Sequence, residues 1–152
     1  MDVANEIVRT IVLKAAITKV WQAISDARQF EQWFRCKIDG TFQIGEIVTC
    51  YSTYEDSENF TWQKRVVAIE PERYFAFNWT PGETGADMYK DSTGQTMVEF
   101  ELESIGEKTQ LVIRESGFAD LPEAYRARSF RINTGGWDAQ VENITVFFHA
   151  NN

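Results

Sequence analysis

The chain has 152 residues, 43% of them hydrophobic and 14% aromatic, with 5 Trp and 11 Phe. That length fits a single domain spanning residues 1–152, and the apolar content is enough for a sizeable core. With 15 basic against 23 acidic residues the net charge is −8, a surface that repels phosphate backbones and anionic lipid, so nucleic acid is not an expected partner.

No stretch approaches the roughly 18 consecutive apolar residues of a spanning helix, so membrane insertion is not expected. The segment Met1–Glu6 has neither the basic nor the apolar region of a secretory signal, which points to a cytoplasmic location. Cys36 and Cys50 show no CxxC spacing and are too few for a metal cage; they read as reduced thiols. Neither a metal nor any other cofactor is expected. In that setting the sequons at Asn59, Asn78 and Asn143 are chance matches.

In chain order, Ile7-Val-Arg-Thr-Ile-Val-Leu13 is rich in β-branched residues and reads as a strand. Thr18 is the expected N-cap of a short helix carrying Val20, Trp21 and Ile24 at helical spacing. Asp26 is placed to cap a second helix, with Phe30, Trp33 and Phe34 on one side. Gly40 and Gly45 punctuate the next stretch, giving an expected hairpin of Thr41–Ile44 with Glu46–Thr53. The acidic run Glu55–Glu58 reads as a polar tip before a strand over Phe60–Ile69. Glu70-Pro-Glu-Arg73 then turns the chain onto a strand at Tyr74–Thr80.

Pro81–Gln95, with three glycines, reads as a long loop, long enough to serve as a lid. In Thr96–Glu103, Val98, Phe100 and Leu102 alternate with Glu99, Glu101 and Glu103, the pattern of a strand with one buried and one wet face. A turn at Ile105–Lys108 leads into Thr109–Glu115, with Leu111 and Ile113 inward. Finally, Trp137, Val141, Ile144 and Phe148 form one stripe of a helix whose opposite side carries Asp138, Gln140, Glu142 and Asn143. Gly135-Gly136 costs about 1 kcal/mol per glycine in a helix interior. The pair therefore marks a bend, a helix start, or a neighbour too close for a Cβ.

The segments Arg9–Leu13, Val20-Trp21, Phe30-Glu-Gln-Trp-Phe34, Glu70-Pro-Glu-Arg73, Glu115-Ser-Gly-Phe118 and Gly136-Trp137, in this order, resemble the heat-shock protein 90 ATPase activator homologue (AHSA-type) family. That family lies within the START-like, Bet v-like SRPBCC superfamily, and the likeness runs from about Ile7 to Phe148. It implies an α+β helix-grip fold: a bent antiparallel sheet wrapped around a long C-terminal helix, with two short N-terminal helices. It also implies an apolar cavity between sheet and helix, which in related proteins takes lipids, polyketides or aromatic compounds. The eukaryotic activators carry a further N-terminal domain that is not found in this sequence.

The inward residues of the strands and helix are the candidate ligand-binding set: Trp62, Phe75, Phe77, Trp79, Val98, Phe100, Glu115, Trp137, Val141 and Ile144. Each also has a plain alternative as core packing. The indole N–H groups of Trp62, Trp79 and Trp137 need partners and are suited to orienting a ligand. Glu115 turned inward is a candidate acid or base; pairing with Arg114 or Arg126, or plain exposure, is the simpler expectation. Arg65, Arg114, Arg126, Arg128 and Arg131 are able to pair with an anionic ligand group, but most read as surface charges, and His149 as a helix-end residue. No nucleophile elbow, P-loop or metal-ligand pattern is present. Neither Gly82-Glu-Thr-Gly85 nor Asp91-Ser-Thr-Gly94 supplies one. No catalytic residue is therefore assigned, and binding of a hydrophobic small molecule is expected ahead of catalysis. A chaperone-accessory role, with a chaperone as partner, and a cyclase or hydrolase role stand as alternatives. An edge strand leaves monomer and weak homodimer both open.

Overall fold

The structure is a computed structural model, and it describes residues 5–53, 61–79 and 95–150. The expected acidic tip at Glu55–Glu58, Phe60, and the loop from Pro81 to Gly94 lie outside the described residues.

Strand β1 (Glu6–Leu13) is followed by helices α1 (Ile17–Ser25) and α2 (Ala27–Phe34). Strands β2 (Cys36–Asp39), β3 (Ile47–Ser52), β4 (Thr61–Glu70), β5 (Tyr74–Trp79), β6 (Thr96–Ile105) and β7 (Lys108–Ser116) come next. A 3₁₀ turn at Phe118–Asp120 leads into helix α3 (Glu123–Ala150). The strands form one curled antiparallel sheet in the order β1-β7-β6-β5-β4-β3-β2. This is the expected helix-grip architecture, with α3 packed against β1 and α2.

Local chemistry explains the joints. Asp26 sits in an extended conformation between the first two helices, and its carboxylate accepts the Arg28 backbone N–H at 3.0 Å, capping α2. Arg35, at φ 64°, takes the left-handed conformation that ends α2. The Arg28 guanidinium donates to the carbonyls of Ile38 and Gly40, and Glu31 accepts the Ile38 N–H, so α2 holds β2 directly. Alternation governs β6 and β7: Thr96, Val98, Phe100 and Leu102 face the core, as do Thr109, Leu111, Ile113 and Glu115.

Phe30 and Trp33 anchor the core, with Phe30 in ring contact with Phe34, Phe42 and Phe100. The Trp33 indole N–H, which would be costly to bury alone, donates to the Ala23 carbonyl at 2.8 Å. Burying each such ring contributes about 1.5–3 kcal/mol.

Four local expectations are corrected. The α1 N-cap is Ala16, with no side-chain cap; Thr18 lies inside the helix and its hydroxyl donates to Glu72. The strand pairing with β3 is β2 (Cys36–Asp39), not Thr41–Ile44, because Arg28 and Glu31 pin the earlier residues against α2. Helix α3 runs unbroken through Gly135-Gly136, and a Cβ built on either glycine meets nothing within 4 Å. Gln140 is buried, not on the wet side: three residues after Trp137, it donates to the Phe34 carbonyl at 3.0 Å.

Candidate functional site

Glu115 is the centre of the site. It lies at the end of β7, two residues beyond Ile113 on the same face, with 0% exposure. Its carboxylate accepts hydrogen bonds from four neutral side chains. At Oε2 these are the Trp79 indole N–H (2.7 Å), the Thr96 hydroxyl (2.5 Å) and the Asn133 amide (3.0 Å). At Oε1 they are the Trp137 indole N–H (2.8 Å) and Asn133 again (2.9 Å). An indole N–H and an amide NH2 can only donate, so the shell is matched to an acceptor-only group.

The expected arginine partners are elsewhere. Arg114 faces the other side of the sheet, beside Glu6 and Glu101, because neighbouring strand residues point to opposite faces. Arg126 donates to the Leu121 carbonyl at the start of α3. Burying a carboxylate without a cation requires that its lone pairs be filled by hydrogen bonds. Two strands (β5, β6) and α3 supply them. Helical spacing brings Asn133 and Trp137, four residues apart, to the same oxygen.

Above this cluster lies a cavity of about 80 Å³ lined by Phe34, Trp79, Asn133, Gly136, Trp137 and Gln140. Trp79 and Trp137 stand 6.0 Å apart between ring centroids, tilted by 33°, and Phe34 is edge-on to both. Gly136 is exposed, so the cavity reaches the surface along α3. The walls are aromatic, while Asn133 and Gln140 supply the polar atoms. The Gln140 bond to the end of α2 fixes the distance between α2 and α3 at this point.

Of the candidate set, Trp79, Glu115 and Trp137 are brought together. Trp62 is half-buried and reaches the site through Phe34, at 6.2 Å between ring centroids. Phe77 and Phe100 form the layer behind, 5.2 Å from Trp79 and 6.2 Å from Trp137 respectively. Val98 is cross-strand partner to both Phe77 and Glu115. Phe75 lies further off, against Phe42 and Trp21. On α3, Ile144 is fully buried and Val141 partly buried against the core. His149 is exposed.

Sequence reasoning missed Phe34, Thr96, Asn133, Gly136 and Gln140 as site residues. The signals were present for three of them. Thr96 shares the parity of Val98 and Phe100, and Asn133 and Gln140 flank Trp137 at helical spacing. Among the described residues no group of His, Cys, Asp and Glu side chains is placed to hold a metal ion, and no helix is long and apolar enough to cross a membrane.

The family model for Activator of Hsp90 ATPase homolog 1-like protein matches residues 14–149. By sequence, no curated protein matches. Among solved structures, the chain is similar to protein MLL2253 from Mesorhizobium loti, with 18% identity, a TM-score of 0.75, and 97% of this chain and 98% of that one covered. It is also similar to the Aha1 dimer from Colwellia psychrerythraea (16% identity, TM-score 0.72, coverage 95% and 96%). DynU16, a protein of the dynemicin biosynthetic locus, matches with 18% identity and a TM-score of 0.73; 98% of this chain covers 49% of that one. At these identities the likeness establishes a shared fold.

Proposed function

The chain belongs to the Activator of Hsp90 ATPase homolog 1-like family, and on that footing we propose that it binds a hydrophobic small molecule between the sheet and α3. The observation that carries this reading is the cavity walled by Phe34, Trp79 and Trp137 over the buried Glu115 cluster. The two tilted indoles give apolar contact, and the Asn133 amide orients a polar group on the ligand. The N–H groups of both amides, Asn133 and Gln140, are engaged, by Glu115 and by the Phe34 carbonyl, and the Gln140 carbonyl oxygen accepts the Asn143 amide at 3.1 Å, which leaves the Asn133 carbonyl oxygen as the acceptor for a ligand donor.

The volume sets a condition. About 80 Å³ is well below the roughly 300–1,000 Å³ of sites for drug-sized ligands. Binding therefore requires α3 to move away from α2 or the ring of Phe34 to turn. Similarity to a protein of the dynemicin biosynthetic locus fits a polycyclic or aromatic ligand, held in a protein that acts in the cytoplasm.

The test is tryptophan fluorescence titration with a panel of aromatic and polycyclic compounds, run beside native mass spectrometry. Saturable quenching with one-to-one stoichiometry, lost in Trp137→Ala, is expected. A panel that leaves the emission unchanged removes the cavity reading.

The family name brings a second reading, a chaperone-accessory role. Val8 and Val12 on the edge strand β1 are exposed apolar residues suited to a protein contact or to pairing with a second copy. A pull-down with purified Hsp90-type chaperone separates this from small-molecule binding.

A further inference from the structure

One buried group is used by neither the core nor the Glu115 cluster. Lys64, on the inner face of β4, is wholly buried, and among the described residues its Nζ has no hydrogen-bond partner. It is enclosed by four phenylalanine rings. Nζ lies 3.9 Å from the centroid of Phe30, 4.3 Å from Phe77, 5.2 Å from Phe42 and 5.3 Å from Phe34. Ring faces attract a cation, but they do not replace the water that an ammonium loses on burial. Burial accordingly pulls the amine down from its ordinary range, toward the neutral form whose lone pair is a nucleophile. Among the described residues the titratable groups facing it are the thiols of Cys50 on β3 and Cys36 on β2, and no carboxylate neutralises it.

Lys64 is also next to the cavity. Its cross-strand partner is Trp79, a cavity wall. Phe34 belongs to both places: it lines the cavity and is one of the four rings around Nζ. The partition between cavity and amine is one phenylalanine thick, and that residue is the last of α2, followed by the left-handed Arg35.

We propose that Lys64 is the covalent anchor of the ligand site, taking the carbonyl carbon of a hydrophobic aldehyde or ketone as an imine when the Phe34 ring turns aside. This rests on the reading of the cavity as a ligand site. The Nζ lone pair forms the C–N bond and the carbonyl π pair moves to oxygen. The carbinolamine then loses that oxygen as water together with the two amine protons, leaving C=N. One water is released, no oxidant or reductant is needed, and the cavity has room for it.

The test uses the full chain with 2-naphthaldehyde and sodium cyanoborohydride, followed by peptide mass mapping. The matching alcohol, 2-naphthylmethanol, serves as a non-reactive probe in a parallel fluorescence titration. The expected result is a reduced adduct at Lys64, formed at least about tenfold faster than at the exposed Lys14, Lys19, Lys37 and Lys108, and absent from Lys64→Met. Phe34→Ala, which thins the partition, is expected to speed labelling of Lys64; this variant keeps the test intact should Lys64→Met fold poorly. Saturable quenching by the alcohol with adducts only on the exposed lysines overturns the anchor and leaves the cavity reading standing. Absence of both quenching and a Lys64 adduct overturns the two together.

Discussion

The indole N–H of Trp137 on α3 lies 2.8 Å from Oε1 of Glu115 on β7. This bond ties the long helix to the sheet at the floor of the cavity. A buried acceptor with five hydrogen bonds is a strong constraint, because removing it orphans donors that water cannot reach.

Glu115→Gln keeps the shape and replaces one oxygen with an NH2 group that cannot accept. Either Trp137 or Trp79 then faces a donor, and Asn133 can rescue only one side by turning its amide. A loss of at least about 2 kcal/mol is expected in urea unfolding, with a change in tryptophan emission. Unaltered stability would show that the cluster does not hold α3 in place.

The two glycines of α3 separate stability from binding. Each costs about 1 kcal/mol relative to alanine within a helix, and neither is needed for close packing. Gly136 lines the cavity and Gly135 does not. Both Gly135→Ala and Gly136→Ala are expected to raise the melting temperature, while only Gly136→Ala, whose methyl group narrows the cavity, weakens ligand quenching. Equal binding by both variants would place the ligand elsewhere.

Lys64 carries a pH signature. Its folded-state pKa lies below its ordinary value of 10.5, chiefly through desolvation, with the Cys50 and Cys36 thiols acting in the opposite direction. The folded chain therefore binds fewer protons than the unfolded chain across the interval that ends near 10.5, and stability from this residue rises with pH through that interval. Tyr51 and Tyr74, whose pKa values are raised by the neighbouring Asp39 carboxylate and by burial respectively, act oppositely above pH 10. The difference between wild type and Lys64→Met cancels them. Lys64→Met, with a similar unbranched stem, is expected to be more stable at pH 7 by on the order of 1 kcal/mol, and the gap should close as pH approaches 10. A gap independent of pH would count against a neutralising amine.

The thiols report on the same neighbourhood. The hydrogen bond between them raises Cys36, together with burial, and lowers Cys50 against the opposing effect of burial. Iodoacetamide on the native protein is expected to reach Cys50 before Cys36, both slowly because both are buried. Equal rates at the two positions in mass mapping would contradict that ordering.

Much of the fold was legible because its signals are local. The alternation of Val98, Phe100 and Leu102, the turn at Glu70–Arg73 and the stripe Trp137–Val141–Ile144 each follow from a backbone period. The α2 cap at Asp26 was legible for the same reason. Where a residue's place depends on a distant partner, the reading failed: Gln140 looked solvent-facing until the Phe34 carbonyl was placed beside it. Lys64 shares the parity of Trp62 and Val66, yet a lysine within an inward row carries no signal of its own that it will be buried.

The sequence by itself determined the order of strands and helices, the aromatic inner faces and the likeness to a helix-grip family, since these rest on near-neighbour spacing and on segments kept in order. Only the tertiary structure decided that Glu115 is filled by two indoles, a hydroxyl and an amide, and that Lys64 stands one ring behind the cavity. Both are meetings of residues far apart in the chain, brought about when the curled sheet closes on α3. Burial then fixes their chemistry, because a polar group removed from water must be satisfied by whatever the fold brings to it.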